Sequence, residues 1–164
     1  IAETLEMSPA AVNSALQRAR ETLGRVKLRS DEISMMGDEP DPELLARYVE
    51  AFEQFDIDKL VELFHEEGCM SMPPFPMWVR GRDDLRRFYA LTRWHCEGSR
   101  FIPVRVNGGY PAFAQYSPSR SDGSVLTPWG IHVVEMKDGK ILHVQNFINA
   151  KLFLRFGLPE QLRR

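Results

Sequence analysis

Three turn signals crowd the second half of the chain: Asn107-Gly108-Gly109, Asp122-Gly123 and Asp138-Gly139. Asn-Gly and Asp-Gly pairs tolerate the positive φ that a tight hairpin needs, and the segments around them are rich in β-branched and aromatic residues. RFIPVRVNG, GYPAFAQYSPS and SVLTPWGIHVVEMKDGKILHVQNFIN therefore read as strands of one antiparallel meander. A meander with an apolar face needs a cover, and the preceding segment supplies helices for it. Asp41-Pro42-Glu43 is a strong helix start, and Leu45, Tyr48, Phe52 and Phe55 follow on one helical face. Asp56 caps a shorter helix with Leu60, Leu63 and Phe64 inward. CMSMPPFPMWVRG reads as a strand, a Pro-broken loop and a short extended piece, with the loop as a lid or docking surface. Asp83 starts a further helix that buries Leu85, Phe88, Tyr89 and Thr92, and AKLFLRFGLPEQL ends the chain as a short amphipathic piece. Helices first and an antiparallel sheet afterwards make an α+β domain, and a curved sheet wrapped on helices leaves a cavity at its open end.

The first residues have a different texture. Ser8 is a good N-cap and Pro9 suits the first helical position. Val12, Leu16, Ala19 and Leu23 form a narrow apolar stripe, and the rest of that helix is polar. Residues 1–29 read as helix, turn, helix; residues 30–40, with mixed charge, Gly and Pro, read as a linker; residues 41–164 form the α+β domain. The 164 residues are enough for a real core, and 43% hydrophobic with 27% charged residues is a globular composition. A net charge of -2 gives no global nucleic-acid footprint, so any DNA binding must come from a local patch. Cys69 and Cys96 match no zinc or redox spacing, and no histidine pair has ligand spacing, so neither a metal nor a cofactor is expected. No apolar run is long enough for a bilayer and no signal peptide is visible. A cytoplasmic protein without membrane contact is expected, and the opening Ile1 suggests a fragment of a longer chain.

Two stretches resemble known families. EMSPAAVNSALQRARETL resembles the recognition helix of region 4 of bacterial sigma factors of the extracytoplasmic-function group, with Val12, then Asn13-Ser14, then Arg18-Ala19-Arg20. From Asp41 onward, MSMPPFPMWVRGRDDLRRF, FLRFGLPEQL and the order of elements resemble a SnoaL-like, polyketide-cyclase-like domain of the nuclear-transport-factor superfamily, a cone of helices packed on a curved sheet. Together they resemble the C-terminal part of such a sigma factor: the end of the region 4 helix-turn-helix followed by a fused SnoaL-like domain. The resemblance implies promoter DNA and the RNA polymerase core as partners, and recognition of the minus-35 element through Ser8, Ala10, Ala11, Asn13, Ser14, Gln17, Arg18 and Arg20. Many relatives carry Lys or Arg where this chain has Asn13 and Ala15, which weakens the local charge.

The family fold hosts enzymes that use a cavity Asp, often with a His, to move protons on small carbonyl compounds. Where relatives often show that Asp, this chain has Asn149. An amide is no base, so no catalytic residue is assigned and the expectation is a non-enzymatic regulator of sigma activity, acting through contacts or a small apolar ligand. An isomerase or cyclase using His132 or His143 as base, and a dimerisation module forming a homodimer, are the alternatives. Strict alternation puts Gly130, His132 and Val134 on one face and Trp129, Ile131 and Val133 on the other. Trp78, Trp94, Tyr116 and Trp129, with His132, Gln145 and Asn149, are the candidate pocket residues; core filling is the competing reading of the aromatics.

Overall fold

The computed structural model describes Ala2, residues 7–25 and residues 39–164. The chain divides into two compact units, Ile1–Met36 and Gly37–Arg164. Most of the expected linker, residues 30–38, lies outside the described residues, as do residues 3–6 at the start of the expected helix-turn-helix.

The first unit contains helix α1, Pro9–Arg25. The Oγ of Ser8 accepts from the Ala11 N–H at 3.2 Å, so Ser8 is the N-cap. Val12 is buried and Ala11 and Ala15 are half-buried, whereas Asn13, Ser14, Gln17, Arg18 and Arg20 are exposed. At about 100° per residue Ser14, Gln17 and Arg18 fall on the side of the helix away from Val12, with Asn13 and Arg20 on its flanks.

The second unit begins with α2, Pro42–Glu53, where the Asp41 carboxylate accepts from the Glu43 and Leu44 N–H groups. Helix α3, Ile57–Glu62, is capped by Asp56 in the same way. Strand β1, Phe64–Ser71, then pairs antiparallel with the short β2, Trp78–Arg80. Helices α4, Arg82–Leu91, and α5, Arg93–Cys96, precede the meander. The meander strands are β3, Arg100–Arg105, β4, Pro111–Pro118, β5, Val125–Lys137, and β6, Lys140–Phe147. Helix α6, Lys151–Arg155, and strand β7, Leu162–Arg163, close the fold. The sheet order is β2-β1-β6-β5-β4-β3, with β7 added beside β5. Among the described residues only the β1–β6 pair is parallel; it lets the segment before the meander join the sheet beside its last strand.

All three expected turns are at hairpin positions. Between β5 and β6 both Asp138 (φ 52°) and Gly139 (φ 68°) lie in the left-handed region, as a two-residue type I′ turn requires. Two expectations need correction. Phe64 does not end a helix; β1 starts there, because Phe64 pairs with Ile141 and the Leu63 carbonyl accepts from the Ile141 N–H at 2.9 Å. His65 consequently belongs to a strand. Asp83 and Asp84 do not cap α4. Gly81, at φ 85°, holds the cap position, and the two carboxylates sit in the first turn beside Arg86 and Arg87 at 3.7 and 3.1 Å. They favour the helix there through its dipole instead.

The sheet buries both faces. On the helix side Tyr48, Phe52, Leu60, Leu63, Phe64, Leu85 and Tyr89 pack against Val134, Met136, Ile141 and Val144. On the other side Ala112, Ala114, Tyr116, Leu126 and Ile131 pack under Phe153 of α6. The Phe52 ring sits 4.5 Å from Phe101 and 5.4 Å from His132, at the centre of the helix–sheet contact. Phe52→Ala should therefore cost about 3–5 kcal/mol of unfolding free energy. Urea denaturation measures it, and a loss below about 1 kcal/mol would move the core elsewhere.

Candidate functional site: a buried histidine behind a small apolar cavity

Tyr48 lies in the apolar stripe of α2, so its hydroxyl enters the protein with the ring and must find a partner there. The partner is His132 on β5: Tyr48 Oη and His132 Nδ1 are 2.7 Å apart. His132 Nε2 is 2.9 Å from Gln115 Oε1 on β4. Gln115 Nε2 donates to Ser99 Oγ at 3.1 Å and to Ser117 Oγ at 3.0 Å. The Tyr48 hydroxyl has no other hydrogen-bond partner among the described residues, so its proton goes to Nδ1, and Gln115 Oε1 is then the acceptor for Nε2–H. His132 therefore carries its proton on Nε2, and its Nδ1 lone pair accepts the Tyr48 hydroxyl proton. Both ring nitrogens are occupied. Burial also pushes the His132 pKa down to about 3, and pushes the Tyr48 hydroxyl well above its usual value. The ring is neutral, fully satisfied and has no lone pair for a substrate proton.

In front of this chain lies a cavity of about 210 Å³ between the helices and the sheet. Phe52 of α2, Met70 of β1, Met72 and Met77 of the Pro-rich loop, and Phe88 and Tyr89 of α4 supply its apolar wall. Thr92, His95, Cys96, Gln115, Trp129, His132 and Asn146 complete it, so no Asp, Glu, Lys or Arg side chain lines the cavity. The polar atoms are mostly spent. Thr92 Oγ1 donates to the Phe88 carbonyl at 2.9 Å, and burial pushes the Cys96 thiol up to about 11. Asn146 differs: it is buried, and its Oδ1 has no hydrogen-bond partner. His95 stacks between Trp94 and Trp129, with centroids 3.3 and 4.4 Å away, and the Arg120 guanidinium donates to its Nε2 at 3.3 Å. Partial burial, then the Arg120 charge, lower the His95 pKa.

Of the expected pocket residues, the structure brings only His132 and Trp129 together at this cavity. Trp129 reaches it against simple alternation. Gln115 pairs with Gly130 and Tyr116 with Pro128, so Trp129 is the extra residue of a β-bulge and turns to the His132 side. Trp78 and Trp94 are 60% and 66% exposed and line no part of it. Tyr116 lies on the opposite face of the sheet, edge-on to Phe153, with its hydroxyl donating to the Pro159 carbonyl at 2.7 Å. Gln145 also points to that face, into a separate hollow of about 460 Å³ with Val133 and Leu152. Asn149 is exposed, and its Oδ1 accepts from the Lys151 N–H at 3.0 Å at the start of α6. His143, the other histidine weighed as a base, is half-buried and bonded to Ser71 Oγ at 2.9 Å, away from the cavity. Sequence reasoning passed over Gln115 and left Asn146 unassigned. The available signal was parity: with Val144 in the core, Asn146 must face the same way and Gln145 the other. Among the described residues no group of His, Cys, Asp and Glu could hold a metal ion.

Residues 45–144 match the family model of the SnoaL-like domain. The chain is 38% identical over 168 aligned positions to the extracytoplasmic-function RNA polymerase sigma factor SigG of Mycobacterium tuberculosis, across 99% of this chain and 44% of that protein. It thus spans less than half of that relative's length. It is 31% identical over 83 positions to the orange carotenoid-binding protein of Limnospira maxima, across 51% of this chain and 25% of that one. Among solved structures, a nuclear-transport-factor-2-like protein of unknown function from Burkholderia xenovorans superposes with a TM-score of 0.53 at 14% identity, covering 65% of this chain and 80% of that one. That likeness is one of fold.

The depressed His132 pKa has a consequence for stability. On acidification the unfolded chain protonates this histidine near its ordinary value of about 6.5, whereas the folded chain holds no proton on it until near pH 3. Its contribution is intact at pH 7 and is lost as pH falls, by about 2 kcal/mol between pH 7 and pH 5. Urea titrations at the two pH values should show a loss smaller by that amount in His132→Gln. An equal loss in both proteins would mean that His132 titrates normally in the fold.

Proposed function

The chain belongs to the family of SnoaL-like domains, and on that premise we propose that it is the C-terminal part of an extracytoplasmic-function sigma factor whose SnoaL-like domain regulates transcription initiation without catalysing a reaction. The similarity to SigG supports this reading because it runs through 99% of the chain, α1 included, rather than through the SnoaL-like domain alone. In this reading α1 is the end of the region 4 helix-turn-helix and enters the major groove at the minus-35 element. Asn13 and Gln17 have the chemistry to pair with adenine edges, and Arg18 and Arg20 with guanine or phosphate. Ser8, Ala10, Ala11 and Ser14 allow close approach of the helix start to the backbone. The exposure of Asn13, Ser14, Gln17, Arg18 and Arg20 fits that task.

The observation that carries the regulatory part is the occupied histidine. An isomerase or cyclase in this cavity needs a base within reach of a substrate proton. His132 has both nitrogens bonded, and the lining contains no carboxylate. A cavity with no carboxylate and a saturated buried histidine retains the capacity to bind, and the similarity to a carotenoid-binding protein supports a small apolar ligand. Fusion keeps the domain at high effective concentration beside the sigma factor and the polymerase core, so modest contacts suffice. A ligand biases those contacts only through different affinities for two states. The setting is the bacterial cytoplasm.

The test is promoter-specific transcription with purified polymerase at one salt concentration, comparing the full-length parent protein with a version truncated just before Asp41. A several-fold change in output in either direction is the expected result. Equal output from the two proteins would remove the regulatory role.

A further inference from the structure

A separate trough of about 710 Å³ runs along α2 beside β3 and the start of β4. It shares only Pro42–Glu53 with the helix that covers the core, and it uses a different stripe of that helix. Pro42, Ala46, Val49 and Glu53 recur at three- and four-residue spacing with Leu45 beside them, whereas Leu44, Tyr48 and Phe52 fill the core. Phe101, Pro103 and Phe113 form the opposite wall. Ala46 and Pro103 are exposed and Leu45 and Val49 half-buried, so this apolar surface is open. From Pro42 to Glu53 the helix rises about 17 Å. A trough of that length, with a small residue at its middle, suits the side-chain ridge of another helix.

The sheet margin decides what kind of segment fits. Among the described residues β3 pairs with β4 and with no other strand. A free edge of this kind ordinarily accepts an extended segment as a further strand. This edge is blunted. The Phe101 N–H turns away from β4 and donates to Glu53 Oε1 at 2.8 Å. Pro103, two residues on in an unbroken register and so at the same outward position, has no N–H. An added strand would find two successive donors missing, so the trough offers side chains rather than a ladder. Its charge is one-sided. Glu50 and Glu53 line it and no Lys or Arg does. Neither carboxylate is ion-paired among the described residues. A cation brought there would meet two carboxylates beside apolar surface, where screening is weaker than in open water. We infer that the trough docks an amphipathic helix of a partner protein, its aliphatic ridge on Ala46, Val49 and Pro103 and its Lys or Arg residues beside Glu50 and Glu53. The surface is a candidate contact for the regulatory reading, and the inference holds without that reading.

The experiment uses the whole 164-residue chain and three peptides of about 18 residues, long enough to hold a helix. The first has Leu at helical spacing with Lys on the other face. The second has Glu in place of Lys. The third has the composition of the first with its order shuffled. Calorimetry gives the affinities, and backbone amide resonances give the site. The Lys helix should bind about tenfold or more tighter than either other peptide. Added salt should weaken it, and the amides of Ala46, Val49 and Val104 should shift. Ala46→Arg should abolish binding; Arg is a good helix former at an exposed position, so this variant alters the trough and not the fold. Glu50→Gln should narrow the gap between the Lys and Glu peptides. Equal binding of the shuffled peptide, shifts centred elsewhere, or no binding overturns the inference. Self-association of the free chain that Ala46→Arg abolishes also overturns it, by giving the trough to a second copy. The transcription assay fails separately: helix binding in the trough with unchanged output on truncation removes the regulatory role and leaves the surface.

Discussion

The hydrogen bond from Tyr48 to His132 joins residues 84 positions apart and ties the first helix of the second unit to the centre of its sheet. Everything around it is arranged to make it tolerable. A buried imidazole flanked by Phe52 and Phe101 would be costly if either nitrogen lacked a partner. Tyr48 meets one and Gln115 the other, and Ser99 and Ser117 meet Gln115 in turn. In a low-dielectric interior such a chain strengthens each member and makes any single deletion expensive. It also fixes direction: only one tautomer satisfies all five groups. The polar interior is thus a positioning device that sets α2 against β4 and β5, and the cavity is the space left in front of it.

This arrangement shapes what the cavity presents. A fold that can hold an acid–base residue holds here a histidine saturated by its neighbours and an unpartnered amide two strands from Gln115. The cavity keeps the apolar wall and the directional polar group that recognition needs. No carboxylate lines it, and both ring nitrogens of His132 are bonded. The exposed aromatics Trp78 and Trp94 lie outside it, so its specificity depends on a short set of buried side chains.

The architecture was readable because local signals agree with the fold. Asp41-Pro42 and Asp56 cap their helices, Asp138-Gly139 makes its turn, and the stripe Tyr48–Phe52–Phe55 faces the core. Where such signals were weak, tertiary pairing decided: FHEEG became strand because β6 offered a partner. The site was less legible for a different reason. Period-2 alternation assigns faces only while the register is unbroken. Trp129 occupies a bulge, so the rule sent it to the wrong face, while for Gln145 and Asn146 the same rule, anchored on Val144, separates outer from inner. Chemistry-based selection of large aromatics also misled, because Tyr116 is as large and as buried as a pocket residue but serves the core beneath α6. Hydrogen-bond saturation of His132 has no sequence signature at all.

The bulge at Trp129 also makes this sheet unequally tolerant of length changes. The loop around Asp122-Gly123 is exposed, and a residue gained or lost there alters only the span between two strands. Deleting one residue between Pro128 and Gly130 would restore an unbroken ladder with β4 on that stretch. The indole would then be lost from the inner face, while Pro128 keeps its place opposite Tyr116. Descendants of this chain are therefore free to vary the hairpin tip, while the two-residue step behind it has to be inherited as a unit.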